Sequence, residues 1–201
     1  MRDAGIGRVL AASLHQAISD VLPTRIVFYE NWLNAEGLRG GTIGLGAVYA
    51  VLSFLRQEGA PYRTITARAG EYAAEWTVET MPSLQKSILN AAPARLRTRL
   101  ILRVGRRLVK DCFQGTRAAA KVRKGAARIS VRDSIFCSVR DRVGDPQCGF
   151  YAAMYTRLFS LFNLTTTATV VACRATGENV CALNIPLSAD QSSPQSALSI
   201  S

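Results

Sequence analysis

The stretch from Arg128 to Ile185 constrains the fold most, because its residue pattern changes period in a fixed order. Ile129 and Val131 alternate with Ser130 and Arg132, the period of a half-buried strand. From Gly149 to Phe162 the spacing turns helical, with Phe150, Met154, Leu158, Leu161 and Phe162 on or near one stripe. Two β-rich runs follow, 165–173 and 180–185, joined through Thr176-Gly177-Glu178-Asn179, which is turn chemistry. Three cysteines mark the joints: Cys148 at the helix entrance, Cys173 and Cys181 on the hairpin arms.

The segments before it supply helices. Residues 6–22 carry Ile6, Val9, Leu10, Leu14, Ala17, Ile18 and Val21 at helical spacing, an amphipathic helix closed by Pro23. The run 24–30 (TRIVFYE) is apolar and β-branched, and predicts a short strand or extended lead-in. Residues 31–41 are polar and dotted with glycine, and Thr42 can cap a helix over 43–57. The glycines at 37–46 match neither a phosphate loop nor a dinucleotide fingerprint, so they read as positions that let a helix approach another backbone or leave room for a ligand. Helices are expected over 64–80, 83–90 and 94–113, the last with Leu96, Leu100, Ile101, Val104, Leu108 and Val109 inward and arginines outward. The runs 117–122 and 127–132 form a second hairpin around Arg123-Lys124-Gly125-Ala126. The expected class is α+β, a small antiparallel sheet from two hairpins backed by several helices. The expected organisation is an amphipathic helix over 1–23, a domain over 24–187 with its best-defined part at 128–185, and a disordered Ser/Gln-rich tail over 188–201.

Nearly half of the 201 residues (48%) are apolar and 19% are charged, enough for one well-filled interior. Residues 42–55 form the longest apolar run and are too short to span a bilayer. The N-terminus lacks a signal-peptide pattern, because Arg8, His15 and Asp20 interrupt it; a cytoplasmic protein is expected. Five cysteines, an odd number, argue for free thiols or a metal site rather than a disulfide framework. The net charge is +11, and residues 95–132 hold thirteen Lys/Arg against the single acid Asp111. That segment has one aromatic residue, Phe113, so it lacks the stacking platform of single-strand binders. A solvated arginine face is the expectation, an acidic partner protein the next, and nucleic acid is not expected. His15 is the single histidine, and no nucleophile elbow is present, so no enzyme is predicted.

Asp133-Ser134-Ile135-Phe136, Cys148 before Gly149-Phe150, and Cys173 and Cys181 flanking Gly177 together resemble the 4-vinyl reductase domain family. This is a small-molecule or hydrocarbon-binding module whose fold is shared with subunits of TRAPP vesicle-tethering complexes. The resemblance implies an apolar ligand, among acyl chains, phenolic effectors and tetrapyrroles, and a supporting role in bacteriochlorophyll synthesis. It also implies zinc on Cys148, Cys173 and Cys181 in some members, with an acidic residue three positions before the middle cysteine. That position is Val170 here, which favours plain core thiols; a fourth ligand is left to Cys137, Glu178, Asp145 or water. Trp32, Tyr49, Trp76, Phe136, Phe150 and Met154 furnish either a core or the ligand pocket. The functional expectation is a non-catalytic sensor, carrier or adaptor for a small apolar molecule. It is expected to be a homodimer, because the first helix and the 94–113 helix offer more apolar stripe than a small sheet covers. The alternative is a scaffold or tethering subunit, with a filled core or a lipid carried on a cysteine.

Overall fold

The structure, a computed structural model, describes residues 5–40, 43–139 and 142–187. It is α+β, and its helices run α1 (Arg8–Val21), α2 (Ile26–Glu30), α3 (Ala35–Gly40), α4 (Leu45–Gln57), α5 (Ala60–Glu79), α6 (Ser83–Ala91) and α7 (Ala94–Cys112). Strands β1 (Arg117–Arg123) and β2 (Ala126–Arg132), helix α8 (Gly149–Leu161), and strands β3 (Thr169–Ala172) and β4 (Cys181–Pro186) complete it. The two hairpins share one antiparallel sheet of order β1-β2-β4-β3, joined where Val131 pairs with Cys181 and Ile129 with Leu183. Ala127, Ile129 and Val131 of β2 and Leu183 and Ile185 of β4 are buried, while Arg117, Lys121, Arg123 and Arg128 stand exposed. The tail from residue 188 and the expected Thr42 cap lie outside the described residues.

Helix α8 packs along α5, and α5 packs along α1. The α5–α8 approach is close because residue 70 is glycine: a Cβ there would stand 2.2 Å from the Phe150 carbonyl oxygen. The apolar stripe of α1 (Leu10, Ala11, Leu14, Ala17, Ile18) is buried within the chain, so it is not left over for a partner. The large apolar side chains that remain exposed include Val27 and Phe28 on α2, Leu84 and Ile88 on α6, and Leu96 on α7.

Several expectations are corrected. Residues 24–30 form a 3-10 turn and helix α2, not a strand. A short apolar run fits either period, and here Tyr29 and Leu33, four apart, are both fully buried, the spacing of a helix face. The polar segment 31–41 contains α3, where Asn34 accepts the Gly37 N–H. Helix α5 begins at Ala60, four residues before the expected start, with Pro61 in its first turn, a position that tolerates a missing N–H. On α7 the inward set includes Leu102, whereas Leu96 is exposed. Of the run 165–173 only Thr169–Ala172 is strand; Thr156 Oγ1 holds the Ala168 N–H instead, and the pairing with β4 shifts between Val170 and Ala172.

Gly70→Ala is expected to lower the unfolding free energy by about 1–3 kcal/mol through overpacking, whereas Gly46→Ala on α4, where a Cβ meets nothing within 4 Å, should be neutral or slightly stabilising. Thermal unfolding followed by circular dichroism checks both.

Candidate metal centre and ligand cleft

Four segments deliver the cysteines. Cys137 ends the 3-10 turn Ile135–Cys137 that follows β2, and Cys148 is the N-cap residue of α8. Cys173 follows β3, and Cys181 opens β4. Gly177, at φ +104°, makes the left-handed turn between the last two, a conformation that costs glycine little. All four Sγ atoms lie within 4.8 Å of one another, and all four residues are buried. Cys137 Sγ is 3.4 Å from Cys173 Sγ and 3.3 Å from Cys181 Sγ, far beyond the ~2.05 Å of a covalent bridge, and every thiol is free.

Backbone groups support the sulfurs. The Gln147 N–H donates to Cys173 Sγ at 3.4 Å and the Arg174 N–H to Cys181 Sγ at 3.5 Å. Tyr62 of α5 donates its hydroxyl to the Gln147 carbonyl, and Arg56 of α4 donates to the Phe136 carbonyl. The residues on either side of the cluster are thereby tied to the helical layer.

So many sulfurs in one dry space cannot all ionise without a cation. Hydrogen bonds from Cys137, then from Cys148 and Cys181, hold Cys173 well below the usual thiol range. Cys181 is lowered too, first by Cys137. Cys148 is pushed up, first by its hydrogen bond to Cys137. At Cys137 the bond with Cys148 pulls down, but those with Cys173 and Cys181, together with burial, prevail and raise it.

The set fits a soft tetrahedral divalent ion. Metal–sulfur bonds of ~2.3 Å require sulfur–sulfur edges of about 3.8 Å, and the observed separations, from 3.3 Å to at most 4.8 Å, bracket that value. Cys137 takes the place that Val170 cannot fill; Val170 lies on β3 opposite Leu183. The other candidate donors are elsewhere: Glu178 is exposed, and Asp145 pairs with Arg63 at 3.5 Å. Four protein donors close a coordination sphere, which makes such a site structural.

The aromatic residues considered for a pocket fall into separate groups. Phe136 and Phe150 stack with centroids 4.7 Å apart, edge-on to Tyr151, and are fully buried, as is Met154. Trp32 lies among Phe28 and Phe54 at 5.1 Å from each, Trp76 stacks on Tyr72, and Tyr49 is half-buried on α4. None of the six lines either concavity described next.

A cleft of about 380 Å³ opens between the start of α7, the β1–β2 turn, the end of α8 and the end of β4. Val122, Phe159, Leu164 and Leu187 give it apolar walls; Arg95, Thr98, Arg99, Thr165 and Thr166 give it polar ones. A second concavity, of about 560 Å³ over the outer sheet face, is lined by Lys121, Arg123 and Arg128 with alanine, serine and asparagine, and among the described residues no apolar side chain larger than alanine lines it.

Among solved structures, the chain is similar to the phenol-responsive sensory domain of the transcription activator PoxR, solved with phenol. The TM-score is 0.52 at 16% identity, over 71% of this chain and 74% of that one, a likeness of fold. No protein-family model and no curated protein sequence matches the chain. Among the described residues, no helix is long and apolar enough to cross a membrane.

Titration with cobalt(II) is expected to produce thiolate charge-transfer absorption and the d–d bands of a tetrahedral site. Cys137→Ser should shift those bands and weaken uptake, while Cys112→Ser, buried outside the cluster, should leave both unchanged.

Proposed function

We propose that the protein is a non-catalytic binding module for a small, largely apolar molecule, acting as a sensor, carrier or adaptor, with zinc on Cys137, Cys148, Cys173 and Cys181 as part of its architecture. The cleft carries the ligand reading. Its volume of about 380 Å³ falls in the range of small-molecule pockets, roughly 300–1,000 Å³. Its walls divide into an apolar side and a small set of polar groups, the usual division between affinity and orientation. Its lining offers hydroxyls and guanidinium groups, with no carboxylate, imidazole or thiol among the described residues to move a proton. The fold likeness to a domain solved with phenol is in keeping with this reading. Within the ligands that the 4-vinyl reductase resemblance implies, a cleft of this size suits one ring or a short acyl chain better than a four-ring macrocycle.

The scaffold reading draws on different residues, the exposed Val27 and Leu84, at 73% and 71%, with Phe28, Ile88 and Leu96. A homodimer closed over part of this surface would sediment at twice the chain mass. A monomer mass at concentrations well above micromolar counts against it.

Two measurements test the leading reading. The neutral dye N-phenyl-1-naphthylamine is expected to bind saturably, one per chain. Val122→Trp, at a half-exposed wall position, should weaken it about tenfold or more, about 1.4 kcal/mol, with little change in melting temperature. Elemental analysis should find about one zinc per chain, and a chelator should lower the melting temperature, because metal affinity here is folding free energy. Dye binding that ignores Val122→Trp would remove the ligand reading, and metal-free protein with an unchanged melting curve would remove the zinc.

A further inference from the structure

The polar side of the cleft is built with one sign of charge. Arg95 and Arg99 sit one turn apart on α7, and both line it beside Thr98. Both are exposed, and among the described residues neither makes an ion pair or a side-chain hydrogen bond. Other exposed cations of the basic segment, Arg103 and Lys110 among them, also lack an ion pair among the described residues, so what sets Arg95 and Arg99 apart is their place in the cleft lining. Among the described residues, no acidic side chain lines the cleft.

Two like charges at this helical spacing repel each other, a small cost that an anion between them reverses. Helix α7 also begins here, behind Pro93 and with no side-chain cap, so the positive end of its dipole adds to the same wall. The same cleft is lined by Val122, Phe159, Leu164 and Leu187, which cannot satisfy an anion but can cover a hydrocarbon.

We propose that the ligand of this cleft is an amphiphile with a single terminal oxyanion, held by Arg95 and Arg99 at the mouth while its apolar body lies against Val122, Phe159, Leu164 and Leu187. This rests on the cleft being the ligand site. Planar guanidinium forks pair bidentately with carboxylate and phosphate alike, so the shared chemistry is the oxyanion, and both head groups are tested.

Displacement of N-phenyl-1-naphthylamine by decanoate, decyl phosphate and decanol, which share one chain, isolates the head group. At least one anion is expected to displace the dye about tenfold more tightly than decanol, and the better anion identifies the head group. Arg95→Gln with Arg99→Gln should bring that anion down to the level of decanol, while Arg95→Lys with Arg99→Lys should retain part of the preference. Arg103→Gln with Lys110→Gln removes the same charge from α7 at exposed positions outside the cleft, and should change nothing. If decanol matches both anions, or if the 103/110 pair weakens binding as much as the 95/99 pair, the oxyanion is overturned and the apolar site stands. If the dye does not bind, or ignores Val122→Trp, both readings fall together.

Discussion

Four thiols within 4.8 Å of one another in a dry interior are the constraint on which this fold depends. A single buried cysteine is a small hydrophobe, as Cys112 is, its thiol pushed up first by burial and then by the Asp111 carboxylate. Four together make a shared proton-and-charge problem. The hydrogen bonds among them hold Cys173 and Cys181 below the usual thiol range and Cys137 and Cys148 above it. The sulfurs come from separate segments between residues 137 and 181, so solving that problem fixes several things at once. It sets where α8 starts, how β4 lies on β2, and how the β3–β4 turn folds over Gly177. Arg56 and Tyr62, gripping the carbonyls of Phe136 and Gln147, carry the same constraint into α4 and α5. A divalent ion would replace repulsion among thiolates by four bonds and tie these segments together.

Much of this was legible in the sequence where the signal is local. The alternation of Ile129 and Val131, the helical stripe through Phe150 and Met154, and the cysteines at the joints each follow from spacing within one element. Residues 24–30 failed because Ile26, Val27, Phe28 and Tyr29 are strand-like by type. Only the burial of Tyr29 against the rest of the chain shows a helix. Cys137 was one of several possible fourth donors, because it precedes Cys148 by a loop whose path the sequence does not encode. Val170 argued against a metal only so long as the donor had to come from β3.

The cleft was not legible at all. Ala94, Val122, Phe159, Leu164 and Leu187 are ordinary residues on separate elements, and no spacing relates them. The large aromatics were the visible candidates, and the structure uses Phe136 and Phe150 to pack against each other beside the cysteine segments. That division has a physical basis. Stacked, fully buried rings gain most by excluding everything else, whereas a site that must admit a ligand needs walls that do not already satisfy one another.

The cleft and the sulfur cluster are at opposite ends of the same rods. Helix α8 starts at Cys148 and reaches the cleft at Phe159, eleven residues or about 16 Å along its axis. Strand β4 starts at Cys181 and reaches it at Pro186, five residues or about 17 Å on. Two walls of the cleft are therefore set by elements whose far ends are fixed by the cysteines. The β1–β2 turn, which brings Val122 and Gly125, is tied to the end of β4: Leu187 donates its N–H to the Gly125 carbonyl at 2.7 Å, and Ala126 pairs with Pro186. Residues 121–125 are exposed, and Lys124 and Gly125 both take positive φ. A ligand would thus meet walls on the sheet, α8 and hairpin sides that backbone hydrogen bonds hold in place. The charge is carried by α7, through Arg95 and Arg99, and the apolar face of that helix is held in the core by Ile101, Leu108 and Val109.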